Sequence, residues 1–306
     1  MEYKKISVLI VTYKQADVIG RNIESILQQR EYGLHEIVIC DDCSPDNNWE
    51  VIQSYVEKYP NIIRAYRNNP NLGIYGNSNK LITLAGDADL FCWVEGDDAL
   101  CDGFFKSAQQ AIIEQHIDVT ERICIQANFK SVNPEGKEIV YDNSFLSHTK
   151  RSFTGAKLRA LTTWRATLFS KPVIKDFRPA DISKGLALAE SMFDNEWFMH
   201  TDKAYSINCI GSIYYTDIGV SVNLNDCDCD FLTTEAMTKW NYWMNNDCLN
   251  KEDKRFAKSQ YFLARLRTSH SIKDYLSYVY YHSAGNISYK FNWRQMFAKI
   301  RLCKKS

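Results

Sequence analysis

The sequence predicts an α/β fold built on a mainly parallel sheet with helices on both faces. Three observations carry this. Short β-branched apolar runs alternate with amphipathic stretches through the first hundred residues. The stretch between successive runs is long enough for a helical crossover, as βαβ units require. The runs are apolar at consecutive positions, the pattern of strands buried on both faces.

Taken in order, Ile6–Thr12 reads as the first buried strand. A helix over Val18–Gln29 follows, with Ile19, Ile23, Ile26 and Leu27 on one face. Glu36–Cys40 is the second strand and Asn47–Tyr59 the second helix, striped by Ile52, Tyr55, Val56 and Tyr59 and closed by Pro60. Ile62–Tyr66 is the third strand, Asn77–Ala85 the third helix, and Leu90–Val94 the fourth strand. Beyond residue 100 the alternation loosens. Phe104–His116 reads as a helix and Ile123–Asn128 as a strand, and Asn133-Pro134-Glu135-Gly136 as a turn between short β-like runs. From about Asn223 the chain turns helical and aromatic.

Composition narrows the class. The 306 residues are 45% hydrophobic and 24% charged, ordinary for a soluble globular chain. Lys+Arg and Asp+Glu are equal at 37 each, which argues against a nucleic-acid partner. The charge is unevenly spread, however. Residues 251–306 carry 13 Lys/Arg against 3 Asp/Glu, a net +10, which leaves −10 on residues 1–250. No run of 18 apolar residues offers a spanning helix, and the first strand lacks the cleavage site of a signal peptide. Ten scattered cysteines, several inside apolar runs, suit a reduced, cytoplasmic protein. Cys40-x-x-Cys43 and Cys227-x-Cys229 have no partner at ligand spacing and read as plain thiols.

Parallel sheets of this kind bind ligands beyond the carboxyl ends of their strands. Two acidic clusters stand there: Asp41-Asp42-Cys43-Ser44-Pro45-Asp46, and Glu95-Gly96-Asp97-Asp98. Either alone reads as a solvated turn or as caps for the next helix. Both at the mouth of one sheet, with no Gly-rich phosphate loop, point to a site for a divalent metal and a nucleotide, because hard cations share carboxylates with phosphates. Gly96 permits a tight turn that aims Glu95 and Asp97 at one point.

These segments resemble a family. Ile-Ser-Val-Leu-Ile-Val-Thr-Tyr from Ile6, Glu-Ile-Val-Ile-Cys-Asp-Asp-Cys-Ser-Pro-Asp from Glu36, Asn71-Leu72-Gly73 with Asn79, and Trp93-Val94-Glu95-Gly96-Asp97-Asp98 resemble the successive motifs of inverting family 2 glycosyltransferases. Weaker resemblances follow at Thr163–Phe169, Asn195-Glu196-Trp197-Phe198 and Tyr214–Ser221. The resemblance implies the GT-A fold, a Rossmann-like, mixed and mainly parallel sheet, over residues 1–222. Within it, 1–100 would form the nucleotide-binding half and 101–222 the acceptor-side half, with 223–306 a helical, basic extension. It also implies transfer from a nucleotide-diphospho-sugar to a saccharide or lipid-linked saccharide, with Mn²⁺ or Mg²⁺ as cofactor.

The roles implied by the resemblance are as follows. Thr12, Tyr13, Asp41, Asp42, Asn71, Gly73, Asn79, Glu95 and Asp97 bind the nucleotide-sugar. Tyr13 packs on the base, and Asp42 accepts from a base ring N–H, which favours UDP. Asp97 and Asp98 hold the metal, and Glu95 stands where the family more often has Asp. Lys14, Arg67 and Arg165 are candidates for the diphosphate, since Ser78 and Tyr215 replace family arginines. Trp164, Arg165 and Trp197 fall on the acceptor side. Glu196 is the expected general base, with Asp194 and Glu190 as alternatives; read structurally, these acids simply favour a helix N-terminus. A nucleotidyltransferase on a similar sheet would want a Gly-rich loop after the first strand, and a non-catalytic carbohydrate-binding protein would have no use for acids at both mouths. Residues 286–306 could form a helix with Trp293, Met296, Phe297 and Ile300 on one face, suited either to the inner face of an anionic membrane or to docking on the acidic body.

Overall fold

A computed structural model of the chain describes residues 2–142, 164–178, 190–216, 229–247, 249–269 and 271–283. The described residues up to 216 form one compact unit and those from 229 onward a second.

The first unit follows the predicted alternation closely. Its elements begin β1 (Ile6–Thr12), α1 (Ile19–Leu27), β2 (Leu34–Asp41), α2 (Asn48–Lys58), β3 (Ile63–Arg67), α3 (Gly73–Leu84) and β4 (Leu90–Glu95). Next come β5 (Ala99–Leu100), α4 (Phe104–Glu114), β6 (Ile123–Val132) and β7 (Glu138–Tyr141), then β8 (Thr167–Ser170), α5 (Lys171–Asp176), α6 (Glu190–Met199) and β9 (Lys203–Tyr215). The third helix starts at Gly73, four residues before the expected Asn77, and its apolar residues Leu81 and Ile82 lie in its second half.

The described strands form one sheet in the order β3-β2-β1-β4-β8-β6-β9-β5, with β7 paired to β6. β3, β2, β1 and β4 are mutually parallel, whereas β8 runs antiparallel to both β4 and β6. Every residue of β1 is buried. Right-handed crossovers place α1 and α2 on one face and α3 on the other. The core between β1, β2, β4 and α1 is aliphatic: Ile6, Val8, Ile10, Ile19, Ile23, Ile26, Ile37 and Ile39 are all shut off from solvent. β8 is too short to signal itself in the sequence, and β9 shows no clean alternation, with Lys203, Ser206, Asn208 and Ser212 set among apolar residues; neither was legible by periodicity.

The second unit holds α7 (Cys229–Met244), α8 (Lys251–Ser269) and α9 (Ile272–Ser283). Asn250 opens α8, its Oδ1 accepting from the N–H groups of Glu252 (2.9 Å) and Asp253 (2.8 Å). Leu263, Leu266 and Tyr278 form its small core. Trp240 packs edge-on to Phe256, and Trp243 is buried, so this pair serves packing. No helix among the described residues is long and apolar enough to cross a membrane. The segment 286–306 lies outside the described residues.

Candidate active site

Strand register builds the site. Thr12 pairs with Asp41 and Val11 with Glu95, so the carboxyl ends of β2, β1 and β4 stand side by side. The chain leaves β1 for β2 on one side and returns as β4 on the other. Such a switch point opens a crevice at the strand ends.

The β2 end carries two aspartates with different duties. Asp41 is fully buried. Its oxygens accept from the Ser44 N–H (3.1 Å), the Ser44 hydroxyl and Asn48 Nδ2 (2.7 Å), with Arg67 Nε at 3.3 Å. A carboxylate so occupied has little capacity left for a ligand. In this structure Asp41 shapes the loop. Arg67 is drawn into the same task, donating from Nη2 to the Ser44 carbonyl at 2.8 Å. Ser44 and Asp46 accept from the Lys14 and Ala16 N–H groups, which laces this loop to the one after β1. Thr12 is held likewise, donating to Gln15 Oε1 (2.7 Å) and accepting from Asn48 Nδ2 (3.1 Å).

Asp42 uses one oxygen only. Oδ1 accepts from Asn68 Nδ2 (2.7 Å) and the Leu72 N–H (2.8 Å), while Oδ2 accepts nothing among the described residues. Asn68 is itself fixed, its Oδ1 accepting from Lys80 Nζ (2.7 Å) and its Nδ2 also donating to Asn77 Oδ1 (3.0 Å). Lysine only donates, so the amide has one possible orientation. Asn71 donates to the Asp42 carbonyl (2.7 Å) and accepts from the N–H of Gly73, which has φ +70°. Asn79 is half-buried and makes no side-chain hydrogen bond among the described residues; Asn77 and Lys80 are the side chains of α3 that join the network. Tyr13 stands exposed at the rim, with Lys14 Nζ 5.1 Å from its ring centre.

At the end of β4, the Glu95–Asp98 turn is gripped by its backbone. Arg21 Nη2 donates to the Asp97 carbonyl (2.8 Å), and Asn22 Nδ2 to the carbonyls of Glu95 (2.8 Å) and Asp98 (2.9 Å). The guanidinium of Arg21 lies 3.5 Å from the ring centre of Tyr215. Neither Arg21 nor Asn22 was singled out in the sequence. The available signal was Asn22 itself, a polar residue inside the Ile19/Ile23/Ile26 stripe. Gly96 is needed for a reason other than the turn: a Cβ there would meet Gln15 Oε1 at 2.3 Å and Thr12 Cβ at 2.9 Å.

The three carboxylates converge. One oxygen each from Glu95, Asp97 and Asp98 lies within 4.8 Å of the others. Burial, then the charge of Glu95, pushes the Asp97 carboxyl up to about 6. Burial also raises Asp98 well above the usual carboxylate range, against the pull of Arg165. Arg165 Nη2 meets Glu95 Oε2 at 2.9 Å, and its Nε meets Asp98 Oδ2 at 3.2 Å. Asp98 Oδ1 remains buried with no hydrogen-bond partner. An all-oxygen donor set with an orphaned buried carboxylate oxygen fits a hard divalent cation. Arg165, expected on the acceptor side, is thus part of this cluster.

The two tryptophans expected on the acceptor side are buried. Trp197 is 1% exposed; it stacks on Phe177 (3.8 Å) and Phe169 (4.8 Å) and meets Trp93 edge-on at 5.7 Å. Trp164 is 3% exposed and lies beside the Arg165 guanidinium. The Trp197 ring fills the space between its helix and the sheet, as large aromatics do. Glu196, on α6, is buried beside Trp197. The side chains of Glu190 and Asp194 lie outside the described residues.

The family model described as "Glycosyl transferase family 2" matches residues 7–177, more than half of the chain. The chain belongs to glycosyl transferase family 2. Its sheet order and strand-end acids are those of a GT-A fold, as solved structures also indicate. The chain is similar to S. aureus TarS 1–349 in complex with UDP-GlcNAc, with TM-score 0.62 and 16% identity over 90% of this chain and 79% of that one. It is also similar to the mannosyltransferase PcManGT from Pyrobaculum calidifontis in complex with GDP-Man and Mn²⁺, with TM-score 0.55 and 12% identity over 99% and 87%. At these identities the likeness is one of fold. In sequence, 115 residues are 28% identical to the uncharacterized protein Rv1520 of Mycobacterium tuberculosis, covering 37% of this chain and 33% of that protein. The matched stretch thus spans about a third of that relative's length. This family 2 chain carries Glu95 at the head of its acidic motif, and its Arg21–Tyr215 stack stands at the position where the resemblance led us to expect an arginine at 215.

Proposed function

We propose that the protein transfers a sugar from a nucleoside-diphosphate sugar, with UDP as the nucleotide, to a hydroxyl of a saccharide or lipid-linked saccharide, inverting the anomeric centre. The observation that carries this reading is the convergence of Glu95, Asp97 and Asp98 at the switch point between β1 and β4. Asp97 and Asp98 would hold Mn²⁺ or Mg²⁺, which supplies positive charge to the departing diphosphate. The complexes of UDP-GlcNAc with TarS and of GDP-Man and Mn²⁺ with PcManGT support a donor and metal of this kind.

The chain's own residues do the rest. Asp42 is an acceptor anchored on one oxygen, and its other oxygen suits a base that offers a ring N–H, as uracil does. Tyr13, exposed above that loop, offers a ring face to the base. Asn71 and Gly73 hold the loop wall that Asp42 lies against. Glu196 takes the proton from the acceptor hydroxyl as it attacks; the packing of Trp197 on Trp93 ties its helix to the strand that ends in Glu95. The sheet unit would then carry catalysis, and the basic segment 286–306 would meet an anionic membrane surface where a lipid-linked acceptor resides.

The test is product analysis with a panel of nucleoside-diphosphate sugars and saccharide acceptors, with and without Mn²⁺. Metal-dependent release of free UDP together with a glycosylated product is the expected result. Pyrophosphate release would mark nucleotidyl transfer instead, and no turnover of any donor would overturn the reading.

A further inference from the structure

We propose that Arg165 is the resident counter-ion of the Glu95–Asp98 cluster and competes with a divalent cation for the same carboxylates. This rests on the metal-dependent reading above and adds a residue to it. A single guanidinium spans two of the three acids, Nη2 on Glu95 (2.9 Å) and Nε on Asp98 (3.2 Å). The side chains involved are 20%, 15% and 4% exposed, so the charges meet with little water between them. The remaining oxygen of Asp98 is buried and unpartnered, which shows that the guanidinium does not satisfy the cluster.

The pose is also held from behind. The guanidinium lies 4.3 Å from the ring centre of Tyr214 and 5.1 Å from that of Trp164. The next residue, Ala166, has φ +51°, a conformation that a side chain bearing a Cβ adopts at a cost and keeps only where its surroundings impose it. Its carbonyl accepts from the Ala127 N–H at 2.9 Å. The backbone is therefore set so that Arg165 faces the acids.

A divalent cation needs those oxygens at about 2.0–2.6 Å. A guanidinium on the same oxygens repels it, and in a site this dry the repulsion is strong. The diphosphate of a nucleotide offers the displaced guanidinium another partner, since Arg pairs bidentately with phosphate oxygens. Metal without nucleotide then meets an occupied cluster, and metal with nucleotide does not.

The experiment reads Mn²⁺ binding directly, by the electron paramagnetic resonance signal of free Mn²⁺, in nucleotide-free protein. The parent is compared with Arg165→Gln and Arg165→Lys, each checked for folding by its thermal transition. Mn²⁺ dissociation constants should fall in the order parent, Arg165→Lys, Arg165→Gln. The glutamine variant should bind about tenfold more tightly than the parent, because one charge has left a poorly screened site. Arg165→Lys keeps the charge but cannot span two carboxylates, so it moves less, and it carries the test alone if the glutamine variant does not fold. Unchanged or weaker Mn²⁺ binding in a folded variant overturns the proposal. A separate arm adds UDP to the parent. Uptake of Mn²⁺ there, with no difference among the nucleotide-free proteins, sinks only the role of Arg165. No uptake in any arm sinks the metal reading and this inference with it.

Discussion

Gly96 lies so close to Thr12 that a Cβ on residue 96 would stand 2.9 Å from the Thr12 Cβ. This contact joins the carboxyl end of β1 to the turn after β4. The hydrogen bond from Gly96 N–H to the Val11 carbonyl (3.0 Å) holds it there. Two segments more than eighty residues apart thus share one close approach.

Gly96→Ala should therefore cost stability and disturb the cluster together. Overpacking of this kind costs about 1–3 kcal/mol. Urea unfolding of parent and variant checks the first effect and Mn²⁺-dependent UDP binding the second. A variant as stable as the parent would show that Gln15 and Thr12 yield freely.

Asp98→Asn should abolish Mn²⁺-dependent UDP binding while leaving the fold intact. Burial already disfavours the ionised form of Asp98, so a neutral amide removes a destabilising charge. The thermal midpoint of the metal-free variant is expected at or above that of the parent. Calorimetric titration with UDP and Mn²⁺ gives the binding; parental affinity would take the metal site elsewhere.

Glu196→Gln should bind donor almost normally and lose about 10²–10⁴-fold in transfer rate, the range for a missing general base. Single-turnover assays with saturating donor separate the two quantities. A near-parental rate would move the role to Asp194 or Glu190.

Trp197→Ala should unfold far more easily than the parent, with no selective effect on acceptor affinity. The indole is enclosed by Phe177, Phe169 and Trp93, and deleting a buried aromatic costs about 3–5 kcal/mol. Selective loss of acceptor binding at parental stability would restore it to the acceptor site.

Acid stability should depend on Glu36. Burial pushes its carboxyl up, but the Ser7 hydroxyl, Arg64 and the Gly86 N–H outweigh this and hold it below its ordinary 4.5. In the unfolded chain the group binds protons at higher pH than in the folded one. Its contribution is therefore complete above about 4.5 and fades as pH falls through the lower folded value. Urea midpoints between pH 3 and 6 should show a shallower acid decline in Glu36→Gln, which starts from lower stability at pH 6. An unchanged slope would assign the acid sensitivity to other carboxylates.

The strand and helix pattern to residue 100 was legible because β1, β4 and most of β2 are buried along their length, and the helices between them carry apolar positions at helical spacing. Those are local signals, recorded in the order of apolar and polar residues along the chain. The acid clusters were legible for the same reason: they sit at the strand ends, and a strand end can be read from where an apolar run stops. Three-dimensional packing decided the rest. Asp41 and Asp42 are neighbours of one residue type, yet Asp41 is consumed by Ser44, Asn48 and Arg67, while Asp42 keeps an oxygen open. Nothing local distinguishes them. Arg165 reaches Glu95 across 70 positions of sequence because β8 lies antiparallel beside β4. The three aromatic neighbours of Trp197 come from other elements of the chain, and nothing local announces them. Periodicity reports which way a residue faces along its own element, whereas partnership depends on which elements meet, and that is set by the register and order of the whole sheet.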